Sequence, residues 1–285
     1  MRGCPRCAPE ALRGAARVPA GRLFLIPTPL GAASDPRRVL PADTLAAIEP
    51  LDYFVVENPK TARAFLRAAG TRVPLQQLEL RELSEHTALE AIPALLAPIL
   101  AGRDGGLLSE AGVPAIADPG AALVAAAHAS GVEVRPLVGP SSLLLALMAS
   151  GLNGQRFAFV GYVPTQPDER LRHLRELEQR SARHGETILI IETPYRNQAL
   201  LDAALQCLAP TTQLMVASDL SLAAERIVVD SVAGWRAAGR ELSKTPAVFG
   251  LLAGPAPTRT GVADHPRAPS RARPALRSSE RSRRR

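Results

Sequence analysis

Short β-rich apolar runs alternate with helical stretches from residue 22 to residue 254, the pattern of a mainly parallel sheet flanked by helices. RLFLIP at 22–27, LDYFVVE at 51–57, a run near 73–80, GGLLSE at 105–110 and VEVRPLVG at 132–139 read as strands. Helices are expected over 41–50, 58–70, 88–102, 121–131 and 140–151. The clearest is NPKTARAFLRAAG, with Asn58 at the N-cap, Pro59 in the first turn and Gly70 at the end. A second unit begins with RFAFVGYVP at 156–164 and an Arg/Glu-rich helix over 168–185. It continues with the apolar strand ETILIIE at 186–192, a helix over 195–209, strands near 213–220 and 224–232, and AVFGLLAG at 247–254. This divides the chain into domains at 22–151 and 152–254, between terminal segments 1–21 and 255–285 that read as disordered.

Those termini carry all of the excess charge. The chain of 285 residues has a formal net charge of +7, yet 255–285 alone sets nine arginines against Asp264 and Glu280. Residues 1–21 add four arginines against Glu10, which leaves 22–254 mildly acidic. The tail can neutralise RNA phosphates without sequence preference, or it is simply solvated. With 46% apolar residues and no apolar run near the ~20 needed to cross a bilayer, no membrane span is expected. Cys4 and Cys7 form a lone C-x-x-C, and neither Cys207 nor His86, His128, His173, His184 or His265 completes a metal spacing, so no metal is expected. Three cysteines also suit a reducing compartment, and a cytoplasmic location is the expectation.

The motifs for dinucleotides, triphosphates, zinc proteases and the hydrolase nucleophile elbow are missing. What the strand ends carry instead is Gly/Pro loops: IPTPLG (26–31), VVEN (55–58), LLSEAGVPAIADPG (107–120), LVGPSS (137–142) and IIETPYR (190–196). Open α/β sheets bind ligands beyond the carboxyl ends of their strands, so these five loops are expected to converge on one cleft. In 109–120, Gly112 and Gly120 permit backbone conformations closed to other residues, while Pro114 and Pro119 fix φ.

The order and wording of these loops resemble the class III S-adenosylmethionine methyltransferases of the tetrapyrrole methylase-like superfamily. The resemblance is carried by Thr28-Pro29-Leu30-Gly31, by Glu57-Asn58-Pro59-Lys60-Thr61, and by Ser109-Glu110-Ala111-Gly112-Val113-Pro114-Ala115-Ile116-Ala117-Asp118-Pro119-Gly120. Val138-Gly139-Pro140-Ser141-Ser142, Ala149-Ser150-Gly151-Leu152 and Glu192-Thr193-Pro194-Tyr195-Arg196 complete it. Within the superfamily it is nearest to the branch that methylates a cytidine ribose 2′-hydroxyl of small-subunit ribosomal RNA. Asn58 and Glu110 stand where Asp is usual, Val138 where Pro is usual, and Asp219-Leu220-Ser221-Leu222 lacks the lysine of the corresponding E-L-T-K segment, as in a divergent paralogue.

The resemblance implies two α/β domains with the cofactor cleft between them, and S-adenosylmethionine as cofactor. It implies cofactor contacts from Leu30, Gly31, Ala111, Gly112, Val113, Ile116, Ser141 and Ser142. For the acceptor's proton, the candidate bases at strand ends are Glu57, Glu85, His86 and Glu110, of which His86 and Glu57 are the expected ones. Asp118, just before Pro119, is expected to cap the following helix. Glu192, Tyr195 and Arg196 are the expected substrate contacts, Arg196 through a phosphate. The partner implied is ribosomal RNA or the small ribosomal subunit, and a homodimer is expected. A tetrapyrrole or small-molecule methyltransferase and a non-catalytic cofactor-binding paralogue are the competing readings.

Overall fold

The computed structural model describes residues 19–31 and 34–254; Cys4, Cys7 and the Arg-rich tail lie outside them. Five parallel strands form the first sheet: β1 (Arg22–Ile26), β2 (Tyr53–Val56), β3 (Glu79–Glu82), β4 (Gly105–Leu108) and β5 (Glu133–Pro136), in the order β3-β2-β4-β1-β5. Between them run α1 (Pro36–Val39), α2 (Ala42–Ile48), α3 (Pro59–Ala69), α4 (Ile92–Leu100) and α5 (Ala121–Ala129), and α6 (Ser142–Ser150) follows β5. Side chains alternate between the faces, as period-2 geometry requires. Leu23, Tyr53, Val55 and Leu107 pack with α4 and α5 on one face. Phe24, Ile26, Phe54, Val56 and Leu108 pack with α2 and α3 on the other.

The second sheet is built from β6 (Phe157–Phe159), β7 (Thr187–Glu192), β8 (Gln213–Ser218), β9 (Arg226–Ser231) and β10 (Ala247–Leu252), in the order β6-β7-β10-β8-β9. Helices α7 (Pro167–His184), α8 (Asn197–Cys207) and α9 (Val232–Ala238) accompany it. The expected parallel arrangement stops here: only β6 and β7 pair parallel, and the other three ladders are antiparallel. The link between β8 and β9 is too short for a parallel crossover, which needs a dozen or more residues. One face of this sheet carries α7, α8 and the buried Trp235; the other is covered by Ala146 and Leu147 of α6. Helix α6 therefore follows the first sheet in sequence and packs on the second, which brings the loops of both sheets together.

The boundary signals of α3 are realised as read: Asn58 Oδ1 accepts from the Lys60 amide at 2.9 Å, Pro59 opens the helix and Gly70 closes it at φ +88°. Three readings are corrected. The third strand starts later than 73–80 because Pro74 opens a turn, its carbonyl accepting from Gln77 N at 2.8 Å. The cap of α5 is Gly120, not Asp118, and no side chain caps that helix. Helix α9 went unread behind a β-branched run; Ser231 caps it, its hydroxyl accepting from Gly234 N at 3.0 Å.

Candidate active site

Beyond the carboxyl ends of the strands, a cavity of about 470 Å³ opens between the two sheets. The first sheet's loops contribute Leu30, Gly31, Ala111, Gly112, Val113, Ile116, Ser141 and Ser142, all eight of the cofactor positions expected from the sequence. They also contribute Ala117, Asp118 and Leu143. From the second sheet come Tyr162, Ile191, Glu192, Ala217, Asp219, Leu220, Leu222 and the start of β10. Four of the five Gly/Pro loops thus meet at the cavity; the VVEN loop lies outside its lining.

Backbone geometry holds these loops in place. Thr28 and Gly112 pair as an isolated antiparallel bridge, which ties the first loop to the third. Gly112 sits at φ +80°, and a Cβ there would come within 3.3 Å of Leu30 Cδ2. Among the described residues, four non-glycines take left-handed φ, Ala115 and Ala117 in one loop and Asp219 and Ser221 in the other. Such conformations cost of order 1–2 kcal/mol each and concentrate where a site over-determines the backbone. In the first loop they leave Ile116 half exposed in the cavity wall. In the second, Asp219 Oδ2 accepts from Thr245 Oγ1 at 3.0 Å and Glu225 Oε2 accepts from Ser221 N at 2.7 Å.

The remaining expected residues lie around this centre. Glu57 Oε2 accepts from the Glu110 amide at 3.1 Å, behind the lining. Burial pushes the Glu57 carboxyl above the usual range, against the pull of that amide. His86 stands in a tight turn closed by Ser84 and Thr87, its side chain 86% exposed and 3.5 Å from Glu85. Glu192 lines the cavity with its side chain fully buried, and its Oε2 lies 3.0 Å from Arg196. The Arg196 guanidinium also donates to the Val163 carbonyl at 2.7 Å, so it faces the protein; Tyr195 is 88% exposed.

Two groups in the lining were not picked out as chemistry from the sequence. Asp118, freed from capping, is pushed up to about 6, first by burial and then by the charge of Glu57, while the Ser109 hydroxyl pulls the other way. Tyr162 is raised too, by burial and by the charges of Asp118 and Glu192. For Asp118 a signal existed, its place inside the 109–120 loop; for Tyr162 only its position after an apolar run. Among the described residues no group of His, Cys, Asp and Glu is placed to hold a metal ion, and no helix is long and apolar enough to cross a membrane.

Comparison with known proteins matches residues 24–234 to the model of the Tetrapyrrole (Corrin/Porphyrin) Methylases. The ribosomal RNA small subunit methyltransferase I of Mesorhizobium japonicum is 33% identical over 202 residues, 70% of this chain and 63% of that relative's length. The protein of the same name from Mycobacterium tuberculosis is 34% identical over 222 residues, 77% of this chain and 74% of the relative. Among solved structures, diphthine synthase superposes with a TM-score of 0.56 at 17% identity, covering 82% of this chain and 90% of that one. A conserved hypothetical protein from Aeropyrum pernix reaches 0.59 at 18% identity, covering 82% and 85%. Both have the fold described above. The family match over most of the chain, and relatives one-third identical across it, make this chain a member of the tetrapyrrole (corrin/porphyrin) methylase family.

Proposed function

We propose that the chain is an S-adenosylmethionine-dependent methyltransferase whose acceptor is small-subunit ribosomal RNA, at a cytidine ribose 2′-hydroxyl. The observation that carries the cofactor assignment is the charge of the cavity. Its acidic lining residues are Asp118, Glu192 and Asp219, with no lysine or arginine among the described lining residues. Such a wall suits a cationic ligand and repels polyphosphates. The volume falls within the roughly 300–1,000 Å³ of small-molecule sites. When bound, S-adenosylmethionine supplies a methyl group on a sulfonium, for in-line displacement without a metal.

In this reading Leu30, Gly31, Ala111–Val113, Ile116, Ser141 and Ser142 hold the cofactor through backbone groups and shape, and exclude water. The two units divide at residues 151–152, where Gly151 takes a left-handed φ after α6. Exposed Leu144 and Met148, one turn apart on α6, support a homodimer, and a cytoplasmic location follows from the ribosomal substrate. The same names borne by the one-third identical relatives support RNA over a tetrapyrrole. Titration calorimetry is expected to find S-adenosylmethionine binding that persists with a chelator. No binding up to millimolar cofactor would overturn the assignment, and transfer to a tetrapyrrole but not to RNA would replace the substrate.

A further inference from the structure

We propose that the outer faces of α1 and α3 hold RNA phosphates at the mouth of the cavity, through Arg37, Arg38, Lys60, Arg63 and Arg67. The inference rests on the reading of RNA as the substrate and adds to it the surface that grips the chain.

The charge inventory of the first unit singles out these residues. Residues 22–151 contain ten lysines and arginines. Arg22, Arg72, Arg81, Arg103 and Arg135 are each matched to a carboxylate, those of Asp104, Glu49, Glu79, Asp52 and Glu133. The other five make no ion pair among the described residues, all are exposed, and all lie on α1 and α3. Neither helix contains an acidic residue, in a unit where thirteen acids outnumber the bases.

Helix electrostatics accounts for only part of this. Arg67 stands in the last turn of α3, and a Cβ on Gly70 would lie 3.6 Å from an Arg37 guanidinium nitrogen, so both cations suit the negative end of the helix. Lys60 sits in the first turn, where a helix favours an acid and α3 has none. There its charge opposes the helix dipole and has no ion-pair partner among the described residues.

The placement makes a row that starts at the cavity. Lys60, Arg63 and Arg67 are spaced by three and four residues, so they share one face with about one cation per 5.4 Å turn. Helix α1 packs beside α3 and extends the row with Arg37 and Arg38. At its start Thr61 Oγ1 donates to Glu110 Oε1 at 3.2 Å, and Glu110 directly precedes Ala111 and Gly112 of the cavity lining. Helix α1 likewise follows the loop of Leu30 and Gly31, also in the lining. A polyanion drawn along this row reaches the mouth of a cavity whose acidic wall keeps phosphate out.

Other groups that could take phosphate are engaged or mixed with acids. Arg196 is turned to Glu192 and the Val163 carbonyl. Helix α7 interleaves its arginines with Asp168, Glu169, Glu176 and Glu178. The exposed face of α3 consists of Lys60, Thr61, Arg63, Ala64, Arg67 and Ala68, with no large apolar side chain to enter a bilayer, so it fits RNA better than an anionic membrane.

The test compares the full chain with Lys60→Gln/Arg63→Gln/Arg67→Gln, with the charge-retaining Arg63→Lys/Arg67→Lys, and with Arg172→Gln/Arg175→Gln on α7. Glutamine is a good helix former at exposed positions, so unchanged circular dichroism is expected. Cofactor binding is measured by calorimetry, binding to purified small ribosomal subunits across a salt series, and methyl transfer to the subunits as kcat and KM. The triple variant is expected to bind cofactor within about threefold of wild type and the subunits at least about tenfold more weakly. Its slope of log affinity against log salt is expected to fall by about 2, roughly 0.7 for each phosphate contact on a single strand, and its loss of activity to lie in KM. The lysine variant and the α7 variant are expected to keep the wild-type slope. The Arg-rich tail is present throughout, so its share of the slope cancels. A triple variant with wild-type affinity and slope overturns the proposal and leaves the RNA substrate standing. An equal loss in the α7 variant does the same, by reducing the effect to net charge. A wild type that binds vesicles of anionic lipid but neither subunits nor naked ribosomal RNA overturns both.

Discussion

Thr28 and Gly112 exchange two backbone hydrogen bonds, the Thr28 amide donating to the Gly112 carbonyl at 2.8 Å and the Gly112 amide donating back at 3.1 Å. The loops after β1 and β4 are thereby fixed to one another, and both line the cavity. Gly112 →Val tests how closely the site depends on this clasp. Valine is poorly tolerated at φ +80°, and its Cβ would press on Leu30. Calorimetry is expected to show cofactor affinity falling at least about 10²-fold with the circular-dichroism spectrum retained; unchanged affinity would place the cofactor elsewhere.

Arg196 offers a sharp contrast between a substrate contact and an internal brace. Its partner Glu192 has a fully buried side chain, so Arg196→Ala strands a carboxylate away from water. A loss of about 3 kcal/mol is expected in urea denaturation. The phosphate contact read from the sequence predicts the reverse: ordinary stability, with weaker and less salt-dependent RNA binding.

Leu222 stands where the related segment carries lysine, and it packs on the opposite unit: a Cβ on Gly31 would lie 2.7 Å from Leu222 Cδ1. Leu222→Ala removes the apolar contact that bridges the two units over the cavity. We expect a several-fold weaker cofactor affinity and a stability loss of about 1–2 kcal/mol, measured by calorimetry and denaturation. Retention of both would make the contact incidental.

The raised Asp118 also makes a stability prediction with a defined sign. The unfolded chain releases this proton near pH 4 and the folded chain near 6. The wild type therefore loses stability relative to Asp118→Asn as pH rises through that interval. Discounted for the carboxyl's partial exposure, the variant is expected to be about 1 kcal/mol more stable at pH 7, with the gap closing by pH 4. A constant gap across this range would mean that Asp118 titrates normally.

The first sheet was legible because its signals are local. Asn58, Pro59 and Gly70 mark their helix directly, and the buried runs of β1, β2 and β4 announce themselves by composition. The antiparallel half of the second sheet was not, because strand direction is set by connection length and by which strands become neighbours, neither of which an apolar run encodes. The cavity loops were legible as a set through their glycines and prolines. The roles of single side chains were not: Asp118 before Pro119 has the local form of a helix cap, and only the tertiary fold turns it to the cavity wall. Arg196 reads as a free cation until Val163 and Glu192 are brought to it across the second unit.

The central claim is methyl transfer at the cavity between the sheets. Its most direct measurement is incorporation of labelled methyl from S-adenosylmethionine into purified small ribosomal subunits, with wild type and Gly112→Val side by side. The account predicts incorporation into the RNA by the wild type, on a cytidine ribose, and at least about 10²-fold less by the variant. Label transferred equally well by Gly112→Val, or no label in RNA from a wild type that binds the cofactor, would contradict it.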